Sequence, residues 1–350
     1  MSFIRDKSMM KEQPKFMVCV RCFTFNQVNF ITDAMNGVCM QETNFPFVCT
    51  IVDDASTDGE QGVINQYYQE HFDLEDKTIA RNEETNDYVL AFARHKTNKN
   101  CFFAVLYLKY NHHGNISMKR RKLQYTREWD NNAKYIASCE GDDSWTDIHK
   151  LHKLIGFLEA HPKYVLACHR INRYIQEKGR LVYDNSEDIY FGNKQGVSFG
   201  RYYNRFVNWK TQTLATVYRQ DVLTRSVDNY PHAITDGIKS YFPLKYGKGF
   251  CFNEYMATYR VNQGGVWSRL SKEDQLYSNW KMFRNFDQFD KTLFSKLSYL
   301  ESYHRLMKST GRKGYKDAEF KTQVYIFGKI YTPLRRMITL YYKFRFKLKK

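Results

Sequence analysis

Three carboxylates lie close together in residues 135–150, YIASCEGDDSWTDIHK. The apolar residues 135–139 have the length and composition of a buried strand, and Glu140, Asp142 and Asp143 follow it directly. Carboxylates and water are ligands that Mg²⁺ and Mn²⁺ prefer, and Mg²⁺ commonly joins one or two carboxylates to the phosphates of a substrate. These residues therefore predict a Mn²⁺ or Mg²⁺ site at the end of a strand.

A structural explanation of the same residues is a solvated acidic turn in which Asp147 caps the following helix. Against it, neighbouring like charges repel each other unless a cation joins them. In an open α/β sheet, ligands also bind at the carboxyl ends of the strands, which is where this cluster falls. Both explanations stay open at this stage.

The elements before the cluster alternate between strand and helix. Residues 16–22 form a predicted strand that leaves through Phe23-Thr24-Phe25-Asn26-Gln27, and residues 29–41 have helical spacing. Residues 47–52 form a second predicted strand, which ends in Asp53 and Asp54 and is followed by a helix to about residue 72. This alternation predicts an α/β fold with a mostly parallel sheet flanked by helices, and it puts both loops at the ligand-binding edge.

The middle of the chain continues this pattern after an interruption. Residues 77–100 are polar, and we expect a helical insertion there; residues 101–108 are a strongly apolar strand. The basic run 119–122 precedes the acidic cluster, and we assign Arg121 of this run to the phosphates of a ligand, the alternative being a solvated face. Leu151, Leu154, Ile155 and Leu158 then predict an amphipathic helix, and residues 164–169 another strand.

Composition limits the classes of partner and the compartment. The formal net charge of +17 implies an acidic partner, such as nucleotide phosphates, an anionic membrane or nucleic acid. No helix-turn-helix, zinc-finger or RNA-binding aromatic signature is present, so nucleic acid is not expected. The eight cysteines are scattered through apolar runs, as in reduced cytoplasmic proteins, and we find neither a secretory signal nor an apolar run that could span a bilayer.

Two motifs carry a family resemblance over roughly residues 14–267. VDDASTDG at residues 52–59, preceded by FTFN at 23–26 and followed by YIA at 135–137 with EGDDSW at 140–145, resembles the family 2 glycosyltransferases of bacterial polysaccharide biosynthesis. The resemblance implies the GT-A fold, which is Rossmann-like, and transfer of a sugar from a nucleotide-diphosphate donor to a glycan or lipid-linked acceptor. It also implies a division into a nucleotide-sugar-binding half (residues 14–150) and an acceptor-binding, catalytic half (151–270).

The resemblance further implies roles for individual residues. Thr24 and Asn26 would lie near the nucleoside, and Asp53 and Asp54 would reach the base or ribose. Asp142 would hold the metal, with Glu140 and Asp143 beside it.

Two later positions complete the implied site. Asp236 stands where similar transferases have the catalytic base, and a sugar hydroxyl needs a base because it is a poor nucleophile until its proton is removed. The alternative for Asp236 is a helix N-cap. Asn262 stands where many relatives have a histidine near the metal or diphosphate. Trp209 and Thr213 are candidate walls of the acceptor site, the alternative being that both belong to the core.

Residues 271–350 lack further units of strand and acidic loop, and they predict a basic, helical C-terminal region. Leu334, Met337, Ile338 and Tyr341 share one helical face among basic residues, so this segment is expected either to contact an anionic membrane or to pack on the domain. The sequence thus predicts a metal-dependent, inverting glycosyltransferase of the cytoplasm, peripheral on the inner face of the membrane. The alternatives are a catalytically silent nucleotide-sugar-binding protein and, last, a nucleic-acid-binding protein.

Overall fold

A computed structural model of the chain describes residues 15–113, 116–183, 188–200, 212–227, 230–232, 235–262 and 269–309, positions 265 and 267, and several helical positions from 328 to 344. The strands are β1 (Phe16–Thr24), β2 (Phe47–Asp53), β3 (Phe72–Asp73), β4 (Arg81–Glu84), β5 (Tyr88–His95), β6 (Cys101–Leu108), β7 (Ala133–Ser138), β8 (Ser144–Trp145), β9 (Tyr164–Ile175), β10 (Arg180–Tyr183), β11 (Gly196–Phe199), β12 (Val217–Arg219) and β13 (Lys248–Val261). The helices are α1 (Ile31–Cys39), α2 (Glu60–His71), α3 (Ile116–Tyr125), α4 (Arg127–Asn131), α5 (Lys150–Ala160), α6 (Asp188–Phe191), α7 (Gln220–Val227), α8 (Asp236–Tyr241), α9 (Lys272–Asp290) and α10 (Leu293–Ser309).

The thirteen described strands form one sheet, in which ten have the order β11-β13-β9-β12-β7-β1-β2-β6-β5-β3. Of the other three, β10 pairs with β9, β4 with β5 and β8 with β13. The four central strands β7, β1, β2 and β6 are parallel, β13 is parallel to β9, and β5 is antiparallel to β6. The mostly parallel sheet and the flanking helices predicted from the sequence are therefore confirmed.

Burial explains the central strands. All seven residues of β2 are buried, as expected for a parallel strand that has both faces covered. On one face of the sheet, the apolar stripes of α1 and α5 pack into the core, including the four leucine and isoleucine residues predicted for α5.

The registers of β1 with its two neighbours put three loops at one edge. Thr24, the last residue of β1, pairs with Asp53, the last residue of β2, and Arg21 pairs with Ser138 at the end of β7. The loops that leave β7, β1 and β2 therefore start side by side, at the carboxyl ends of their strands.

The helix expected within residues 77–100 is wrong. This segment forms the strands β4 and β5, and β5 pairs along its length with β6. Leu90, Phe92 and Ala93 of β5 are buried in the cores, whereas β4 lies outside β5 and alternates between partly buried and exposed residues. Pairing with the apolar strand β6 decided this structure, and such a contact is not visible in the local pattern.

The predicted helical character after residue 270 is confirmed in the described part of this region. Helices α9 and α10 pack on each other around Trp280 and Tyr303. Phe286 and Phe294 also pack against Ile238 of α8 and Phe242, so this pair of helices is attached to the α/β domain. Among the described residues, no helix is both long and apolar enough to cross a membrane.

Candidate active site

The acidic loop after β7 is in direct contact with the loop after β1. The Gly141 amide donates to the Phe23 carbonyl at 3.2 Å. A Cβ atom placed on Gly141 would lie 2.1 Å from Thr24 Oγ1, so this position needs glycine to let the two loops approach. The acidic cluster and the first predicted nucleoside-binding residue are thus brought together.

Two residues hold Asp142: Arg260, near the end of β13, and Asn262, directly after this strand. Asn262 Nδ2 donates to Asp142 Oδ2 at 3.1 Å, and Arg260 Nε donates to the Asp142 carbonyl at 3.1 Å. The Arg260 backbone amide donates to Asp143 Oδ1 at 3.0 Å. The guanidinium also reaches Asp33 Oδ2 on α1 at 2.7 Å, so a single side chain fixes the acidic loop to a helix far away in sequence.

Burial of this loop makes its charges costly. Burial raises the pKa of Asp142, while the hydrogen bond from Asn262 and the charge of Arg260 lower it in part. Burial, followed by the charge of Asp142, raises the pKa of Asp143 well above its ordinary value. Asp143 is only 3% exposed, which contradicts a fully solvated turn. Asp147 does accept the backbone N–H of His149 at 2.7 Å, next to the start of α5.

The described residues contain no group of three His, Cys, Asp or Glu side chains that could hold a metal ion by itself. Asp142 nevertheless fits a Mg²⁺ or Mn²⁺ ion, because its carboxylate is partly buried, lies near a second carboxylate and has its pKa raised by burial. Mg²⁺ typically uses one or two carboxylates, and water and substrate phosphates complete its ligands. The residues present therefore suit an ion that arrives with a phosphate ligand.

The loop after β1 is tied to the loop after β2 through a buried glutamate. Glu60, at the start of α2, is fully buried, accepts from the Thr24 hydroxyl and accepts from the Gln27 amide at 2.9 Å. Asn26 has a left-handed backbone (φ 55°). Its backbone N–H donates to Ser56 Oγ at 2.9 Å, and its side-chain Oδ1 accepts from the Thr57 backbone N–H at 2.8 Å. Thr24 and Asn26 are thus set in a preformed network at the edge of the sheet.

Asp53 and Asp54 have different environments although they are adjacent. Asp53 Oδ2 accepts from Gln61 Nε2 at 2.5 Å, while its Oδ1 is buried and has no hydrogen-bond partner. Asp54 Oδ1 accepts from the His112 amide at 2.9 Å, and Asp54 Oδ2 pairs with Lys122 Nζ at 3.0 Å. Asp53 Oδ1 is therefore an unsatisfied acceptor at the end of β2, which is unusual because buried polar atoms are rarely without a partner, whereas Asp54 anchors helix α3.

Arg121 and Lys122 of the basic run have partners in different parts of the fold. Arg121 is half exposed and pairs with Asp87 Oδ2, in front of strand β5, at 2.7 Å. Lys122, with 18% of its side chain exposed, is the residue that reaches the second acidic loop. Arg121 thus pairs with the turn before β5, and its role toward phosphate stays a prediction.

Other predicted positions lie partly outside the described residues. Asp236 begins α8, but its side chain is outside them, as is Trp209. Thr213 is in a short turn, and its buried hydroxyl has no hydrogen-bond partner. Glu140 lies beside Asp142 and is partly buried.

Three residues of this region were not found from the sequence, and a fourth, Lys122, was in the predicted basic run but received no role of its own. Glu60 and Arg260 build the loop network, Lys122 pairs with Asp54, and the buried Lys150 stacks its ammonium 3.6 Å from the centre of the Trp145 ring. Lys122 could have been separated from Arg121 by its position on the helix. The other three gave no local signal, since their partners are distant or their burial depends on the fold.

No protein-family model matches the chain. Over 248 residues, the chain is 29% identical to an uncharacterized protein of Mycobacterium tuberculosis and to one of Mycobacterium bovis, and the match covers 70% of this chain and 58% of each relative. The chain thus spans less than two thirds of the length of these curated relatives.

Two solved structures share the architecture. S. aureus TarS 1-349 matches with a TM-score of 0.52 at 15% identity, covering 85% of this chain and 73% of that one. S. aureus TarS 1-349 in complex with UDP matches with a TM-score of 0.50 at 14% identity, covering 86% and 76%. At this level of identity the likeness concerns the fold, and the chain has the GT-A-like fold of glycosyltransferases that the sequence predicted.

Proposed function

We propose that this protein is a metal-dependent, inverting glycosyltransferase that moves a sugar from a nucleotide-diphosphate donor to a hydroxyl of a glycan or lipid-linked acceptor. The observation that carries the proposal is the meeting of three loops at one edge of the sheet. Asp53, with its unpaired Oδ1, ends β2 on one side of β1, and the loop that carries Asp142 follows β7 on the other side of β1. The UDP complex of S. aureus TarS 1-349, which has the same fold, supports a nucleoside diphosphate as the donor portion.

The donor is bound by the loops after β1 and β2. Asp53 Oδ1 accepts a hydrogen bond from the base or ribose, and Thr24 and Asn26 line the nucleoside site because the Glu60 network fixes their loop. Asp142 holds Mn²⁺ or Mg²⁺, which when bound offsets the negative charge of the departing diphosphate. Glu140 and Asp143 add negative potential beside it.

Transfer is a single displacement. Asp236, at the start of α8, takes the proton of the acceptor hydroxyl, and the hydroxyl oxygen bonds to the anomeric carbon from the face opposite the nucleotide. The bond from that carbon to the diphosphate oxygen breaks, so the anomeric configuration inverts and a nucleoside diphosphate leaves. Helix α8 is positioned by α9 and α10, which pack against Ile238.

The finer assignments rest on the sequence resemblance. They are membership in family 2, a role in bacterial polysaccharide biosynthesis, and a position in the cytoplasm at the inner face of the membrane. A silent binding protein is less consistent with the site, because a buried acidic loop is costly and gains a purpose from a bound cation.

Calorimetry with UDP and GDP, with and without Mn²⁺, tests the proposal. We expect the wild-type protein to bind one of these nucleotides more tightly with Mn²⁺, and Asp142→Asn to lose that gain while keeping its melting temperature. Asp147→Asn is the matched control, because Asp147 pairs with Lys153 instead of facing the site, and it should keep the Mn²⁺ effect. Nucleotide binding that is the same with and without Mn²⁺ in all three proteins would refute the metal-dependent donor site.

A further inference from the structure

The C-terminal segment, residues 328–344, carries apolar side chains that the domain does not cover. Six large apolar residues of the segment are between 43% and 66% exposed: Ile330, Leu334, Met337, Leu340, Tyr341 and Phe344. The described positions of the segment are helical. It starts against helix α10, since a Cβ on Gly328 would lie 2.4 Å from the His304 ring.

The exposed residues share one face of the helix. At 3.6 residues per turn, the five from Leu334 to Phe344 lie within an arc of about 120°. We define these five residues as the C-terminal apolar face. This exposure argues against packing of the described residues on the domain; Ile338 of the predicted stripe lies outside the described residues.

The surroundings of this face are basic. Residues 320–350 contain nine lysines and arginines and no aspartate or glutamate, so they supply more than half of the formal net charge of +17. Arg336 is exposed and lies four residues before Leu340, so it forms a basic flank of the apolar face; Lys329, earlier in the segment, is also exposed. A helix with an apolar face bordered by basic side chains is typical of a segment that lies in the interface of an anionic membrane.

We propose that the C-terminal apolar face docks the protein on an anionic lipid surface, with the basic flank on the headgroups. Apolar side chains enter the boundary between headgroups and acyl chains, while lysine and arginine remain with the phosphates. A second copy of the chain is a poorer occupant, because a symmetric dimer through this face would bring two segments of nine positive charges together. Nucleic acid would satisfy the charge but leaves the apolar face in water.

Cosedimentation of the full chain with vesicles tests the proposal independently of any transferase activity. We expect binding to vesicles with 30% phosphatidylglycerol, weaker binding in 0.5 M NaCl, and little binding to pure phosphatidylcholine. The variant Met337→Glu/Leu340→Glu should lose most of the binding. Arg336→Gln should reduce the partition coefficient about fivefold, the equivalent of one basic contact.

Two matched controls distinguish binding through the C-terminal apolar face from binding through any exposed leucine or arginine. Leu293→Glu changes a residue that is 67% exposed at the start of α10, and Arg225→Gln removes an exposed arginine on α7. Both should bind vesicles like the wild type. Equal binding to neutral and anionic vesicles, or an equal loss in Leu293→Glu, would overturn the proposal.

Two further measurements test the alternatives, which are packing of the face on the domain and contact with a second copy of the chain. A lower melting temperature of Met337→Glu/Leu340→Glu without vesicles would mean that the face is packed, and it would overturn the proposal. Light scattering that shows a wild-type dimer, dissociated by this variant, would assign the face to a second copy instead. Unchanged melting temperature and a monomeric state in both proteins would support lipid as the occupant.

Discussion

Replacing Arg260 by methionine should lower the stability of the fold. It should also make metal binding begin to fall at a higher pH. The guanidinium donates to the Asp142 carbonyl, to Gln176 and to Asp33, and it lies 4.6 Å from the centre of the Phe30 ring. Methionine keeps part of the apolar packing but makes none of these polar contacts. The effect can therefore be assigned to the lost hydrogen bonds and charge.

The loss of stability follows from the environment of each contact. Leaving the partly buried Asp142 carbonyl unpaired costs about 1 kcal/mol or somewhat more, and a hydrogen bond to a neutral side chain contributes about 1 kcal/mol. The pair with Asp33 contributes at most about 1 kcal/mol, because the Asp33 side chain is 56% exposed. We expect a loss of about 3 kcal/mol; with about 2.1 cal/mol/K per residue over 350 residues, this lowers the melting temperature by about 4 °C.

The pH effect has a defined sign. Burial already raises the pKa of Asp142, and the charge of Arg260 is one of the influences that lower it. Without that charge the pKa rises further, so protons compete with the metal at a higher pH, since a carboxylate binds metal in its ionised form. Mn²⁺-dependent nucleotide affinity of Arg260→Met should therefore begin to fall at a higher pH than in the wild type, and the two should approach each other in alkaline buffer.

Calorimetric titration between pH 5.5 and 8.5 measures this difference. Arg170→Met is the matched control: Arg170 is also largely buried, and it contacts Asp188, Asn253 and the Tyr255 ring, residues outside the acidic loop. It should lose similar stability and keep the wild-type pH profile. An unshifted profile in Arg260→Met, or an equal shift in Arg170→Met, would refute the reasoning.

Two other substitutions test separate parts of the site. Asp236→Asn should lower the rate of sugar transfer by about 10²–10⁴-fold while the donor Kd stays within twofold, because a base acts on the acceptor; near-normal turnover would assign the base to another carboxylate. Lys122→Met should lower the free energy of unfolding by about 3 kcal/mol, because it leaves the buried Asp54 carboxylate without its lysine. Arg121→Met on the same helix should cost much less stability, since the Arg121 side chain is exposed to solvent. Urea denaturation of both variants compares these costs, and equal losses would contradict the division of the basic run.

Local patterns in the sequence were sufficient to predict the central part of the fold. The apolar runs of β1, β2 and β7, each followed by polar or acidic residues, predicted the strands and the edge where their loops meet. A parallel strand buried on both faces is continuously apolar, so its pattern does not depend on which strand lies beside it. The segment of β4 and β5 was predicted as helix because its residues gain burial only by pairing with β6.

The tertiary structure alone decided how the site residues divide their roles. Asp53 and Asp54 have the same side chain at adjacent positions, yet alternation along a strand sends them to different partners. One is left with an unpaired buried oxygen, and the other is held by Lys122, 68 residues away. The contact of Arg260 with Asp142 spans 118 residues. A sequence specifies the type and order of such groups, but the packing of β13 and α3 against the loops sets their partners. Hydrogen bonds and close ion pairs form over a few ångströms in space, whatever the separation along the chain.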